Sequence, residues 1–258
     1  MPHHRLRAGR APGLSAALLL TVAFAVGCGP AEDKGAAPAK ASAPASPSAA
    51  PTPASAIPNG VEKLKAAEIL RRARKATASA KSLRMRGRIQ EDGEKYRLDF
   101  RFAGKAKATG TFKMGAQSVQ ITRIGKDLYL KGDDAFWKSI GGKAAVQLLS
   151  GKQLKTTTKN PDFKDIDPVT DPSALLAEAV KSVGSWKKGV PGTVGGVPTV
   201  TLVGSSGEKV HVATRGEPYV LLLDGGDPAD KIEYLDYDEP VDIPRPPAKT
   251  IVDADALN

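Results

Sequence analysis

The sequence predicts an α+β domain: a curled antiparallel sheet of about 10–11 strands with helices packed against its concave face. Three observations predict it. Two-residue alternation of apolar and polar side chains recurs across 83–131 and again across 186–237. Helical spacing of apolar residues occurs in two places, 61–81 and 173–183. The composition, 41% hydrophobic but only 5% aromatic with 26 Gly and 20 Pro, favours strands and turns over a helical bundle.

The first helix is expected over 61–81, with Ala66, Ile69, Leu70, Ala73, Thr77 and Ala80 along one face. Those side chains are small, so the face packs closely but fills little volume. In the first strand Leu83, Met85, Gly87 and Ile89 alternate with Arg84, Arg86, Arg88 and Gln90. In the second, Tyr96, Leu98, Phe100 and Phe102 alternate with Lys95, Arg97, Asp99 and Arg101. Glu91-Asp92-Gly93-Glu94 supplies the hairpin turn between them. Shorter strands are expected at 108–114, 117–124, 126–131 and 135–140, forming a meander with one wet face and one apolar face. Residues 141–182 break the alternation, with short helices at 144–149 and 173–183. Asp171 is the expected N-cap of the latter and Pro172 opens its first turn. Strands resume near 186–190, 197–204, 208–214, 218–224 and 230–237. Pro240, Pro244, Pro246 and Pro247 then end the regular structure.

The N-terminus has its own pattern. Residues 1–13 hold Arg5, Arg7 and Arg10 and no acid, and 14–26 form an uncharged run of 13 residues. That run is too short to span a bilayer, which takes roughly 20 residues. A basic start, a short apolar run and small residues after it make a secretory signal, expected over 1–27. Ala25-Val26-Gly27-Cys28 resembles the bacterial lipobox, with Ala25 standing where Leu is usual. The resemblance implies cleavage between Gly27 and Cys28 and diacylglycerol on the Cys28 thiol. Each buried methylene contributes about 0.8 kcal/mol, so two acyl chains hold a protein firmly where one holds it marginally. Cys28 is the chain's single cysteine, so no intramolecular disulfide exists.

Residues 28–60 are rich in Ala, Pro and Ser, with no large apolar side chain before Ile57. Such a stretch buries too little to offset its ordering entropy. It is expected to be a lipid-anchored, disordered tether, of which the thirty residues 29–58 reach roughly 90 Å at about 3.1 Å each. The folded domain is expected over 61–250, followed by a tail over 251–258.

Five phrases within 61–250 resemble, in order, the LolA-like lipoproteins of actinobacteria in the LppX/LprA/LprF/LprG group. They are Ala78-Ser79-Ala80-Lys81-Ser82-Leu83-Arg84; Gly125-Lys126-Asp127-Leu128-Tyr129-Leu130-Lys131-Gly132 with Phe136-Trp137; Asp171-Pro172-Ser173-Ala174-Leu175-Leu176; Gly216-Glu217-Pro218-Tyr219-Val220-Leu221; and Tyr237-Asp238-Glu239-Pro240-Val241-Asp242-Ile243-Pro244. The resemblance implies a half-barrel plugged by helices around an apolar cavity for lipid or glycolipid acyl chains. It also implies passage of the ligand toward the outer envelope. A domain of this kind can instead be a sensor that docks on a membrane protein.

No catalytic constellation is present, and no catalytic or metal-ligating residue or cofactor is expected. His3 and His4 fall in the signal, and His211 is expected on a strand surface. Acylation of Cys28 removes the only thiol from nucleophilic or zinc chemistry. Gly204-Ser205-Ser206-Gly207 is followed by Glu208 where a nucleophile elbow has its last glycine, so it reads as a hairpin turn. Asp165, Asp167 and Asp171 lack the turn glycine and terminal glutamate of a calcium loop. Asp236, Asp238, Glu239 and Asp242 read as a solvated strand end.

The formal net charge is +10 and unevenly placed. Residues 61–115 hold 16 Lys and Arg against 6 Asp and Glu, whereas 216–258 hold 3 against 11. The arginine face of the first strand is either a solvated surface or an attraction for anionic headgroups. Nucleic acid is no partner for an exported chain. The expected partners are the membrane through Cys28, a lipid or glycolipid, and a membrane protein in the sensor reading; the chain is expected to be monomeric. Leu98, Phe100, Phe102, Phe112, Met114, Val119, Ile121, Leu128 and Leu130 should face inward. They either close a core or line an acyl cavity.

Overall fold

The computed structural model describes residues 57–256, except 92, 161–162, 164–165, 167 and 182–184. All of them belong to one compact unit, Ser48–Asn258. The expected signal, Cys28 and nearly all of the expected tether therefore lie outside the described residues.

The fold is α+β: a 13-stranded open sheet, mostly antiparallel, with three α-helices among the described residues. Helix α1 (Ala66–Ser79) leads into a meander of β1 (Ser82–Glu91), β2 (Glu94–Ala103), β3 (Lys107–Met114), β4 (Gln117–Ile124) and β5 (Asp127–Gly132). Helix α2 (Asp134–Leu149), strand β6 (Gln153–Thr157) and helix α3 (Pro172–Lys181) follow. The second half runs through β7 (Lys187–Lys188), β8 (Gly192–Val194), β9 (Val197–Val203), β10 (Lys209–Ala213), β11 (Val220–Asp224) and β12 (Lys231–Leu235) to β13 (Ile251–Asp253). The strand order is β13-β6-β5-β4-β3-β2-β1-β12-β11-β10-β9-β7, with β8 beside β9. The two meanders thus join at one seam, β1 against β12, in register Arg84 with Leu235 through Arg88 with Lys231.

Alternation decides which face each side chain takes. Three transverse rows carry the inner face: Leu98, Phe112, Val119 and Gly132; Phe100, Gly110, Ile121 and Leu130; Phe102, Ala108, Arg123 and Leu128. Gly110 has a local reason. A Cβ there would come within 2.5 Å of the Phe100 ring, so its absence lets the ring lie across β3. Ile69, Ala73 and Thr77 of α1, Leu176 and Val180 of α3, and Trp137 and Leu149 of α2 are buried. They complete one core with this face.

Several expectations need correction. The sheet is open and uncurled where a curled one was expected, its order running from β13 at one edge to β7 at the other without closing. It has 13 strands, more than the 10–11 expected, because β6, β8 and β13 are short and carry Thr, Gly or Asp where alternation looks for apolar residues. Residues 135–140 are helical, not a strand. The Asp133 side chain accepts from Phe136 N at 2.8 Å, an N-cap that starts α2 at once. The short helix expected at 144–149 is the second part of α2, beyond a kink at Gly141 and Gly142. The first helix begins at Ala66, after a separate 3-10 turn at Val61–Lys63. Regular structure does not stop at the prolines: β13, in the expected tail, pairs parallel with β6.

Between β12 and β13 the chain forms a strap over the outer face. It turns at Asp236 and Asp238, whose φ values of 51° and 60° lie in the left-handed region. Asp238 accepts from Lys81 N at 2.7 Å and from the Tyr219 hydroxyl at 2.5 Å, while Ser82 Oγ donates to the Glu239 carbonyl. The acidic run therefore anchors the strap. Val241 lies in a groove with Arg84, Arg101 and Thr109. Ile243 is buried, and the Arg245 guanidinium sits 5.8 Å from the Tyr129 ring centre and 3.4 Å from Asp127. The strap explains why Thr122 and Tyr129, on the face expected to be wet, are buried.

Trp137 is fully buried, packs edge-on against Phe136 with centroids 5.0 Å apart, and rests where Gly132 has no Cβ. Trp137→Ala is expected to cost about 3–5 kcal/mol in denaturant unfolding. Trp137→Phe should cost less, because the buried indole Nε1 has no hydrogen-bond partner among the described residues to lose.

Candidate functional site: a groove between two helices

Seven of the nine expected cavity residues, Leu98, Phe100, Phe102, Val119, Ile121, Leu128 and Leu130, are buried. Phe112 and Met114 are half-buried at the sheet end, and Tyr96 stacks on Phe112 at 5.6 Å. All nine share one face, and eight belong to or pack on the continuous core. A groove lies elsewhere among the described residues. It has a volume of about 650 Å³ and runs between α1, α3 and the segment before β7. None of the nine lines it. Phe102 alone touches a second, small cleft of about 20 Å³ at the end of α1.

Helical spacing builds the groove. Ala67, Leu70, Arg71, Arg74, Lys75 and Ala78 recur along one stripe of α1, beside the Ile69, Ala73 and Thr77 stripe that meets the core. Ser173 and Leu176 of α3 form the facing wall, and Ser185 and Trp186 close one side. Asp171 caps α3 as expected, accepting from Ser173 N at 2.8 Å and Ala174 N at 3.3 Å. The floor is apolar: Leu176 is fully buried, while Leu70 and Trp186 are half-buried against the core. Two alanines of α1 leave the space that longer side chains would fill.

The rim is cationic. Glu68 bonds Arg71 at 2.6 Å and Arg72 at 2.9 Å, and these hydrogen bonds hold its carboxyl down at about 2. Arg71 is thereby partly neutralised. Arg74 and Lys75 are exposed and have no ion-pair partner among the described residues. The Trp186 Nε1 is buried without a hydrogen-bond acceptor among the described residues, which leaves a spare donor in the wall. An apolar trough beneath fixed cations suits an amphiphile with an acyl chain and an anionic or polar head. Its volume falls in the ~300–1,000 Å³ range usual for small-molecule sites.

Sequence reasoning placed the cavity under the sheet because the strands carry the large apolar residues. The signal it missed is the second α1 stripe, in which alanines and cations alternate at helical spacing.

The other candidates resolve differently. Gly204-Ser205-Ser206-Gly207 is the β9–β10 turn, closed by Gly204 N donating to the Glu208 carbonyl at 2.8 Å. His211 is half-buried on β10, with Nδ1 3.3 Å from Thr201 Oγ1, and burial lowers its pKa. Asp165 and Asp167 lie outside the described residues, and no group of three or more metal-ligating side chains occurs among those described. Among the described residues no helix is long and apolar enough to cross a membrane. No protein-family model matches the chain, and no curated protein matches it either.

Proposed function

We propose that the chain is a lipid-anchored extracytoplasmic protein that binds lipid or glycolipid acyl chains and carries them toward the outer envelope. The α1–α3 groove carries this reading: an apolar trough of about 650 Å³ with Arg74 and Lys75 on its rim. Support for the location comes from the signal-like run over 14–26 and from Cys28 in its lipobox-like setting. An open, mostly antiparallel sheet with helices on its inner face is compatible with the LolA-like half-barrel that the sequence phrases resemble. On this reading the nine sheet residues are the packed floor beneath the helices, and the ligand lies above them.

The test is native mass spectrometry of the domain from Ser48 onward, the compact unit that holds every described strand, helix and core residue. Co-purifying lipid, or a mass gain on adding an anionic phospholipid, is the expected result. A clean mass with no gain would refute the reading. Ala67→Trp fills the groove from an exposed position without entering the core. It should reduce lipid occupancy about tenfold or more while leaving the melting temperature within the small range of surface substitutions.

A further inference from the structure

One transverse row of the outer face has an unusual content. Following the strand registers, Lys113 of β3 sits opposite Arg97 of β2, Arg97 opposite Arg88 of β1, and Arg88 opposite Lys231 of β12. The row continues through Asp224 of β11 to Lys209 of β10. Like charges placed directly opposite one another destabilise a sheet. Here three such pairings follow in succession. The nearby acids are engaged elsewhere: Asp99 bonds Arg84 at 2.6 Å and Glu233 bonds Arg86 at 2.7 Å, both off this row. Asp224 stands 3.9 Å from both Lys231 and Lys209. Arg88, Arg97 and Lys113 are exposed and have no ion-pair partner among the described residues. The strap covers the Arg84–Arg101–Thr109 row and leaves this one open.

We propose that the Lys113–Arg97–Arg88–Lys231 row docks the domain on the anionic headgroups of a bilayer, as a membrane contact separate from Cys28. The proposal rests on the anchored reading, since the tether is what keeps the domain within reach. Four cations on strands about 4.8 Å apart span roughly 14 Å. They project from a sheet surface, and beside them stand Ser118 at the end of the row and, in the adjoining row, Thr111 and Gln120 together with Asp99 and Glu233, whose charges are matched by Arg84 and Arg86. That shape suits a plane of headgroups, not the enclosed path that a single anionic polymer would thread. A chain already tethered at the surface meets headgroups at high effective concentration, so a weak contact suffices. Docked this way, the domain turns its helix layer and groove away from the bilayer.

The experiment is vesicle flotation with the domain from Ser48 onward, which lacks Cys28 and so reads docking independently of acylation. Phosphatidylglycerol–phosphatidylcholine vesicles are compared with phosphatidylcholine alone. The wild type should float only with the anionic vesicles. It should release between about 0.1 and 1 M salt, as the Debye length falls from ~10 to ~3 Å. The triple variant Arg88→Gln, Arg97→Gln, Lys113→Gln should lose roughly a hundredfold in partition, at about fivefold per cation. Its melting temperature should hold or rise, because repulsion is relieved. A control triple, Lys138→Gln, Lys143→Gln, Lys152→Gln, removes the same charge from α2 and the turn after it and should bind normally. Equal loss in both triples, or no preference for anionic vesicles, would overturn the proposal. So would retention on soluble heparin without flotation, which would assign the row to an anionic polymer. Failure here leaves the groove's lipid, read by native mass, and the acylation of Cys28 as separate results.

Discussion

Replacing Gly87 with Val is expected to cost about 3 kcal/mol or more, a large share of the ~5–15 kcal/mol that holds a typical domain folded. Gly87 lies at the middle of the β1–β12 seam, opposite Ile232. A Cβ there would sit 2.8 Å from Ile232 Cα and closer still to the Lys231 carbonyl oxygen. Both obstacles are backbone, so no rotamer change relieves them. The strands must part, and the seam is the one pairing that joins the two meanders among the described strands. Gly192→Ala is the contrast. Its Cβ would meet Thr199 Oγ1 at an ordinary 3.4 Å, at the edge of the sheet, and should cost no more than about 0.5 kcal/mol. Urea unfolding of the two variants checks the pair. Equal midpoints would mean that the seam adapts and that the close approach is not what Gly87 is for.

On the proposed anchoring, Cys28→Ser abolishes membrane retention by acylation. In cell fractions the wild type should partition into detergent and carry the mass of an acylated Cys28. The variant should be recovered uncleaved or soluble, without lipid mass. Two acyl chains of about sixteen carbons contribute far more than any surface contact, at about 0.8 kcal/mol per methylene. The shift is therefore expected to be nearly complete, while the unfolding midpoint of the domain stays unchanged. Wild-type protein recovered without added lipid mass would end the anchoring proposal.

Local rules made parts of this fold legible. The β1 and β2 alternation, the hairpin at Glu91 to Glu94 and the Asp171 cap each need only neighbouring residues, and each appears as expected. The seam does not: Arg86 meets Glu233 across 147 positions, and nothing near Arg86 announces that partner. The start of α2 was hidden because apolar residues at 135–140 fit a strand as well as a helix, and the Asp133 cap decided it. The strap buries Tyr129 from a distance, so alternation alone assigned it to water. At the site, the inward set from Leu98 to Leu130 was legible as a face. Whether a face encloses space depends on how helices sit above it. The groove formed beside α1, where Ala67 and Ala78 leave room, instead of beneath it.

The long reach of the seam and of β13 also governs when folding can finish. A chain emerging from its N-terminus forms β1 to β5 by local hairpins, but β1 keeps a bare edge until 231–235 arrive, and β6 until 251–253 do. Pairings so distant in sequence close slowly. A partly emerged chain therefore stays unfinished, with edges that invite strands from other chains. Of the described strands the last to be made is therefore the one that shields β6: until 251–253 pair there, that edge stays open to other chains.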